Sequence, residues 1–200
     1  MRISIIKYNA GNIRSVANAL GRIGCTDVEI TDDVEKVRTA DKVIFPGVGE
    51  ASTTMANLRA TGLDKVILDL KQPVLGICLG MQLMCRHSDE GDAEGLGIFP
   101  VDVKRFQLPE DNSLNYKIPQ MGWNSISNLK SGIFTPDMEG QYVYFVHSYY
   151  AELCEYTAAE TEHVIRYSSA LARNNFYATQ FHPEKSGSVG EGILRNFISL

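Results

Sequence analysis

The first 86 residues alternate short, wholly apolar runs with segments of helical periodicity, and this alternation restricts the fold more than any other feature of the chain. Ile3–Tyr8 is an apolar run ending in Asn9-Ala10-Gly11-Asn12, after which Ile13, Val16, Ala17, Leu20 and Ile23 recur at helical spacing. The pattern predicts strand, turn and helix, with Asn12 placed to cap the helix. Val28–Thr31 reads as a second strand, Asp33–Thr39 as a short helix, and Lys42–Phe45 as a third strand that stops at Pro46-Gly47-Val48-Gly49. Glu50–Arg59 and Leu63–Leu70 read as helices, and Val74–Ile77 as a fourth strand running directly into a helix over Leu79–Arg86. Short apolar strands alternating with helices are buried on both faces of a mostly parallel sheet. The expected fold is therefore α/β, with helices on both faces.

The second half reads differently. Ser88 to Gly97 is acidic and Gly-rich, which predicts a surface loop. Strand-like segments then dominate, at Pro100–Phe106, Tyr142–His147, Glu162–Tyr167 and Phe176–His182, before a closing helix over Val189–Ile198. These strands are additions to the parallel sheet, and they are expected to run antiparallel. With no internal repeat and no linker, residues 1–200 are expected to form a single domain, and 44% hydrophobic residues suffice for its core.

Several classes of function are disfavoured. The formal net charge is −5 and no Lys/Arg-rich run is present, which argues against a nucleic-acid partner and for a small substrate. No apolar stretch approaches the roughly 20 residues that span a bilayer, so no membrane association is expected. Cysteines 25, 78, 85 and 154 lack paired spacing and no signal-peptide pattern is visible, which predicts free thiols in a reducing, cytoplasmic setting. No CxxC, HxxxH or EF-hand pattern occurs, so no metal is expected. Asn9-Ala10-Gly11-Asn12 gives little support to a phosphate loop, and no cofactor is expected.

Three turns carry chemistry. Gly76-Ile77-Cys78-Leu79-Gly80 has the form of a nucleophile elbow, a strained strand-to-helix turn that lifts a side chain clear of the sheet. The first N–H groups of the following helix lack intrahelical partners and favour negative charge at Cys78 or on a bound oxyanion. Alone, the motif reads equally as a small buried hydrophobe between two turn glycines. Phe181-His182-Pro183-Glu184 closes the last predicted strand, where residues two apart share a face, so Glu184 can orient His182. By itself that pair also reads as a surface ion pair; beside an elbow, it reads as the oriented base that a cysteine nucleophile needs. Pro46-Gly47-Val48-Gly49 ends the third strand, either as a plain turn or as a loop whose Val48 N–H joins Leu79 N–H in an oxyanion hole. All three turns fall at carboxyl ends of strands, where open α/β sheets place their sites. His147, in an apolar run, reads as a hydrogen-bonded core or rim histidine. Cys85, two turns after Cys78 in the predicted helix, reads as packing.

These motifs, with Gln82, Pro119-Gln120-Met121-Gly122-Trp123-Asn124, Tyr144-Phe145-Val146-His147-Ser148-Tyr149 and Gln180-Phe181-His182-Pro183-Glu184-Lys185-Ser186-Gly187, resemble the class I glutamine amidotransferases from Ile5 to the final helix. The resemblance is greatest to the glutaminase subunits that serve histidine biosynthesis. It implies a flavodoxin-like sheet and a Cys78-His182-Glu184 triad. It also implies an oxyanion site at Val48 and Leu79, and glutamine bound by Gln82, Ser148, Tyr149 and the backbone of Gly47. The implied partner is a (β/α)8-barrel cyclase that uses the ammonia to make imidazole glycerol phosphate and an aminoimidazole carboxamide ribotide. Asn12, Met121 and Trp123 are the expected docking residues; core packing is the other reading of Trp123.

Most members of the family place two adjacent glycines in the oxyanion loop, whereas Val48 here separates Gly47 from Gly49. The resemblance implies a site incomplete at rest, finished by a peptide rearrangement when the cyclase holds its ligand, so that the chain alone is a poor glutaminase. β-Branched Val resists positive φ, which is consistent with such a switch. Other readings of the same residues are a glutaminase for a different synthase, a cysteine peptidase, and a non-catalytic binding subunit.

Overall fold

The computed structural model describes residues 1–8, 13–47 and 49–200. Asn12, expected to cap the first helix, and Val48 lie outside the described residues, as do residues 9–11 of the same turn. In chain order the elements are β1 (Ile3–Ile6), α1 (Ile13–Arg22), β2 (Val28–Thr31), α2 (Val34–Arg38), β3 (Lys42–Gly47), α3 (Ala51–Thr61), α4 (Leu63–Asp69), β4 (Val74–Cys78) and α5 (Leu79–Met84). Then come β5 (Cys85–Ser88), β6 (Ala93–Glu94), β7 (Phe99–Arg105), β8 (Gln120–Ser125), β9 (Tyr142–His147) and β10 (Tyr149–Ala151). The chain closes with β11 (Thr157–Glu162), β12 (Arg166–Arg173), β13 (Phe176–Thr179) and α6 (Gly187–Ser199).

The apolar runs of the first half become the parallel part of one large sheet, in the order β2-β1-β3-β4-β13. That is the flavodoxin-like order, with β13 in the fifth place. Side chains alternate between the two faces, so each strand feeds two cores. Ile3 and Ile5 point into a core shared with Val16 and Leu20 of α1 and Ile193, Leu194 and Phe197 of α6. Ile6 and Phe45 point to the other face, against Met55 and Leu58 of α3, Val66 and Ile67 of α4 and Leu79 of α5. Helices thus cover both faces, as the wholly apolar strands require.

Beyond β13 the sheet continues through β12, β10, β7, β5 and β6, with β11 on the side of β12. The steps β13-β12, β12-β11, β12-β10 and β10-β7 are antiparallel, while β5 and β7 pair in parallel. β8 and β9 form a separate two-stranded antiparallel sheet.

Five segments differ from the sequence reading. The helix expected to reach Arg86 stops at Met84, because Cys85 turns extended (φ −72°, ψ 173°) and begins a strand that pairs with β7 and β6. Cys85 is consequently a strand residue, fully buried. The expected loop from Ser88 to Gly97 contains β6, which pairs with β5. The run expected as one strand over Glu162–Tyr167 spans a hairpin: Glu162 ends β11, whose Ala158 and Ala159 are buried, residues 163–165 turn, and Arg166 and Tyr167 begin β12. The Trp123 segment, which the sequence reading left outside its strands, is the strand β8. β13 also ends at Thr179, before Phe181-His182-Pro183-Glu184 rather than within it.

Candidate active site

Cys78 occupies the last position of β4 and adopts φ 54°, ψ −108°, a left-handed conformation in a residue that has a Cβ. Such backbone costs on the order of 1–3 kcal/mol and persists only where its surroundings enforce it. The enforcement here is close packing by glycine. A Cβ on Gly80 would overlap the Phe45 carbonyl of β3, and one on Gly76 would lie 2.9 Å from Met84 Sδ. α5 therefore begins directly above β3, and its first N–H group, that of Leu79, follows the sulfur. Cys78 is nearly buried, and Val146 O of β9 lies 3.9 Å from its Sγ.

His182 and Glu184 lie beyond β13, the strand beside β4. The sequence reading placed them along an extended strand end. Instead His182 caps a single 3-10 turn, Pro183–Lys185, and the carboxylate folds back onto the ring within that turn. His182 Nδ1 and Glu184 Oε1 are 2.8 Å apart and both side chains are buried, so the surface ion-pair reading does not hold. The backbone is braced as well: His182 N–H donates to Tyr144 O of β9 (2.9 Å), and Ser186 Oγ donates to His182 O (2.7 Å). Burial by itself would push the imidazole down. The Cys78 sulfur, and then the Glu184 carboxylate, outweigh it and hold the His182 pKa up at about 10. With Nδ1 occupied by Glu184, Nε2 is the nitrogen left for proton transfer.

Cys78, Leu79, Gln82, Ser148, Tyr149 and His182 line one cavity of about 230 Å³, together with Gly49, Glu90, Val146 and His147. Six of the residues singled out in the sequence are thus brought together. Gly47 pairs with Cys78 in the β3–β4 ladder, and a Cβ there would lie 2.6 Å from both Leu79 Cβ and the Tyr8 hydroxyl. Its neighbour's carbonyl, that of Pro46, accepts a hydrogen bond from Tyr8, whose hydroxyl is pushed up by burial and then by the charge of Cys78 and stays a donor. Gln82 donates both amide hydrogens within the protein, to Tyr149 O (3.0 Å) and Gln180 Oε1 (2.9 Å).

Glu90 is a residue the sequence reading missed. It accepts from Ala51 N–H (3.0 Å) and its carboxyl is raised, first by burial and also by Glu50. Within an acidic, Gly-rich run it carries no local signal; only the return of the β5–β6 hairpin beside α3 brings it to the cavity. His147 is buried and hydrogen-bonded, through Nδ1 to Tyr149 O (2.7 Å), and burial drives its pKa down to about 3. Met121 and Trp123 stand on the outer face of β8, 66% and 56% exposed, so core packing does not account for Trp123. Trp123 meets Tyr144 edge-on at 6.0 Å, and the ammonium of Lys185 lies over the Tyr144 ring. Among the described residues, no group of three His, Cys, Asp or Glu is arranged to hold a metal ion, and no helix is long and apolar enough to cross a membrane.

An elbow cysteine beside a buried imidazole–carboxylate pair on this strand order agrees with the matching family model, glutamine amidotransferase class-I, which covers residues 5–200. The chain belongs to the class I glutamine amidotransferases. Two solved structures share the fold: a glutamine amidotransferase with TM-score 0.74 and 16% identity, covering 100% of this chain and 98% of its own, and another from Thermotoga maritima with TM-score 0.65 and 15% identity, covering 100% and 83%. Closer in sequence is the imidazole glycerol phosphate synthase subunit HisH of Bacteroides thetaiotaomicron, 59% identical over the full length of both chains. The subunit of the same name from Idiomarina loihiensis is 42% identical over 100% of this chain and 98% of its own. Within the family, the chain groups with the HisH subunits.

Proposed function

We propose that this chain is the glutamine-hydrolysing subunit of an imidazole glycerol phosphate synthase, with Cys78 as nucleophile, His182 as proton carrier and Glu184 as the carboxylate that orients it. The Cys78 sulfur attacks the side-chain carboxamide of glutamine, and Leu79 N–H with the loop at Val48 stabilises the oxyanion. The C–N bond then breaks as His182 Nε2 delivers its proton to the departing ammonia, leaving a glutamyl thioester. His182 next removes a proton from water, which attacks the thioester and releases glutamate and the sulfur. Both Gln82 N–H groups are engaged, which leaves its carbonyl oxygen as the group it can offer the substrate, and with the Glu90 carboxylate it suits the α-ammonium. Ser148, Tyr149 and the Gly47 backbone complete the glutamine cradle.

Ammonia is mostly protonated at neutral pH and is then no nucleophile, so it must be passed on while shielded. We assign that role to a (β/α)8-barrel cyclase docked on the face carrying Met121 and Trp123, with Asn12, for the synthesis of imidazole glycerol phosphate and aminoimidazole carboxamide ribotide in histidine biosynthesis. The continuous sheet supports reading residues 1–200 as one domain, and four unbridged cysteines support a reducing, cytoplasmic setting.

The observation that carries the reading is the strained Cys78 elbow sharing a cavity with an imidazole already hydrogen-bonded to a buried carboxylate. The test is glutamine hydrolysis by the chain mixed with its cyclase and the cyclase's nucleotide. Cys78→Ala should fold, still bind the cyclase, and lose turnover by about 10³-fold or more. Glutamine-dependent turnover that survives the substitution would remove Cys78 from the reaction.

A further inference from the structure

Gln180 lies two residues before the base and is fully buried, yet its side chain is polar at both ends. Its Oε1 accepts from Gln82 Nε2 at 2.9 Å, and its Nε2 donates to Cys78 Sγ at 3.6 Å. The direction of this chain of bonds does not depend on how either amide is drawn. Tyr149 O, 3.0 Å from Gln82, is a backbone carbonyl and can only accept, so the Gln82 atom facing it is the NH₂ group. The same NH₂ group meets Gln180, which must therefore present its oxygen there. Its NH₂ group is left to face the sulfur. One carbonyl thus sets the polarity of two successive amides, the second of which ends as an N–H aimed at the nucleophile.

Sγ consequently sits between a donor and an acceptor. Val146 O, 3.9 Å away, suits the protonated sulfur, whereas the Gln180 N–H suits the anionic one. A hydrogen bond to an ionised partner is roughly twice as strong as one between neutral groups, so this contact favours the anion. We infer that Gln180 is a positioning residue of the glutaminase site, which holds the Cys78 sulfur in its anionic form and, through its other end, fixes the Gln82 amide with its oxygen toward the substrate. The inference rests on the proposed glutaminase reading.

Two substitutions separate the two ends. Gln180→Glu keeps an acceptor for Gln82 and removes the donor to sulfur; Gln180→Met keeps the approximate shape and removes both. Alkylation of Cys78 by iodoacetamide is followed against pH on the full chain, and kcat and KM for glutamine are measured in the complex with the cyclase. For Gln180→Glu, the alkylation profile should move to higher pH by about one to two units, with kcat reduced and KM little changed. For Gln180→Met, a similar shift should come with a raised KM. A folded Gln180→Glu variant with unaltered alkylation and kcat would overturn the inference and leave Gln180 as core. If Gln180→Glu does not fold, the wild-type chain and Cys78→Ala give the answer by NMR: the Gln180 side-chain amide proton should move upfield when the sulfur is removed, and an unmoved resonance overturns the inference. Retained turnover in Cys78→Ala would instead defeat the glutaminase reading, so the two failures are distinguishable.

Discussion

His182 and His147 line the same cavity and are both buried, yet their charges are set in opposite ways. His147 faces a neutral carbonyl, and burial leaves it uncharged, with its pKa down at about 3. For His182 the sulfur and the carboxylate overcome burial and hold the pKa at about 10. A group that binds its proton more tightly when folded contributes stability that is fully present below its ordinary value of 6.5 and lost as pH rises through about 10. In ring-nitrogen NMR, His182 should therefore remain protonated across neutral pH and titrate near 10, whereas in a chain carrying both Cys78→Ala and Glu184→Gln burial should win and bring the midpoint below 6.5. A double variant still protonated at neutral pH would refute this account of the site. Cys78, His182 and Glu184 were legible because each stands in a turn whose local chemistry announces it. Glu90 and Gln180 were not, since only chain closure over long separations gives them their neighbours.

Helix starts show what local sequence does and does not specify. Asp33 caps α2 by accepting from Glu35 N–H and Lys36 N–H, and the expected Asp33–Thr39 segment fits that short helix and its two caps. α3 was read one residue too long at its start, because Glu50 is its cap rather than its first turn. The Glu50 carboxylate accepts from Thr53 N–H (2.8 Å) and Ser52 N–H (3.0 Å) and from both hydroxyls, and these bonds, those of Thr53 foremost, lower its pKa to about 2. Stability from this cap is present above the ordinary carboxylate value of 4.5 and lost as pH falls through about 2. Glu50→Ala should cost ~1 kcal/mol, a fall of roughly 2–4 °C in Tm at neutral pH, read by calorimetry. No change at neutral pH would mean that α3 is held by packing alone. β5 and β8 escaped the sequence reading for a different reason: each is short, carries polar residues, and is a strand only because a distant partner pairs with it.

At the scale of the whole molecule, the parallel half was legible because strands apolar on both faces have one kind of home, while the antiparallel extension depends on pairings no local pattern encodes. β13 joins the two halves, lying between β4 and β12. A chain ending at residue 175 should therefore leave a long unpaired edge on β4 and fail to remain soluble, which expression and gel filtration would check. A soluble, monomeric fragment with a cooperative melt would show that the parallel half stands without that strand. The same placement also affects synthesis on the ribosome. The elbow emerges more than a hundred residues ahead of the imidazole, roughly 5–20 s at ordinary elongation rates. Under the proposed mechanism, the nascent chain during that interval carries a sulfur but no proton carrier, so no unfinished copy could consume glutamine.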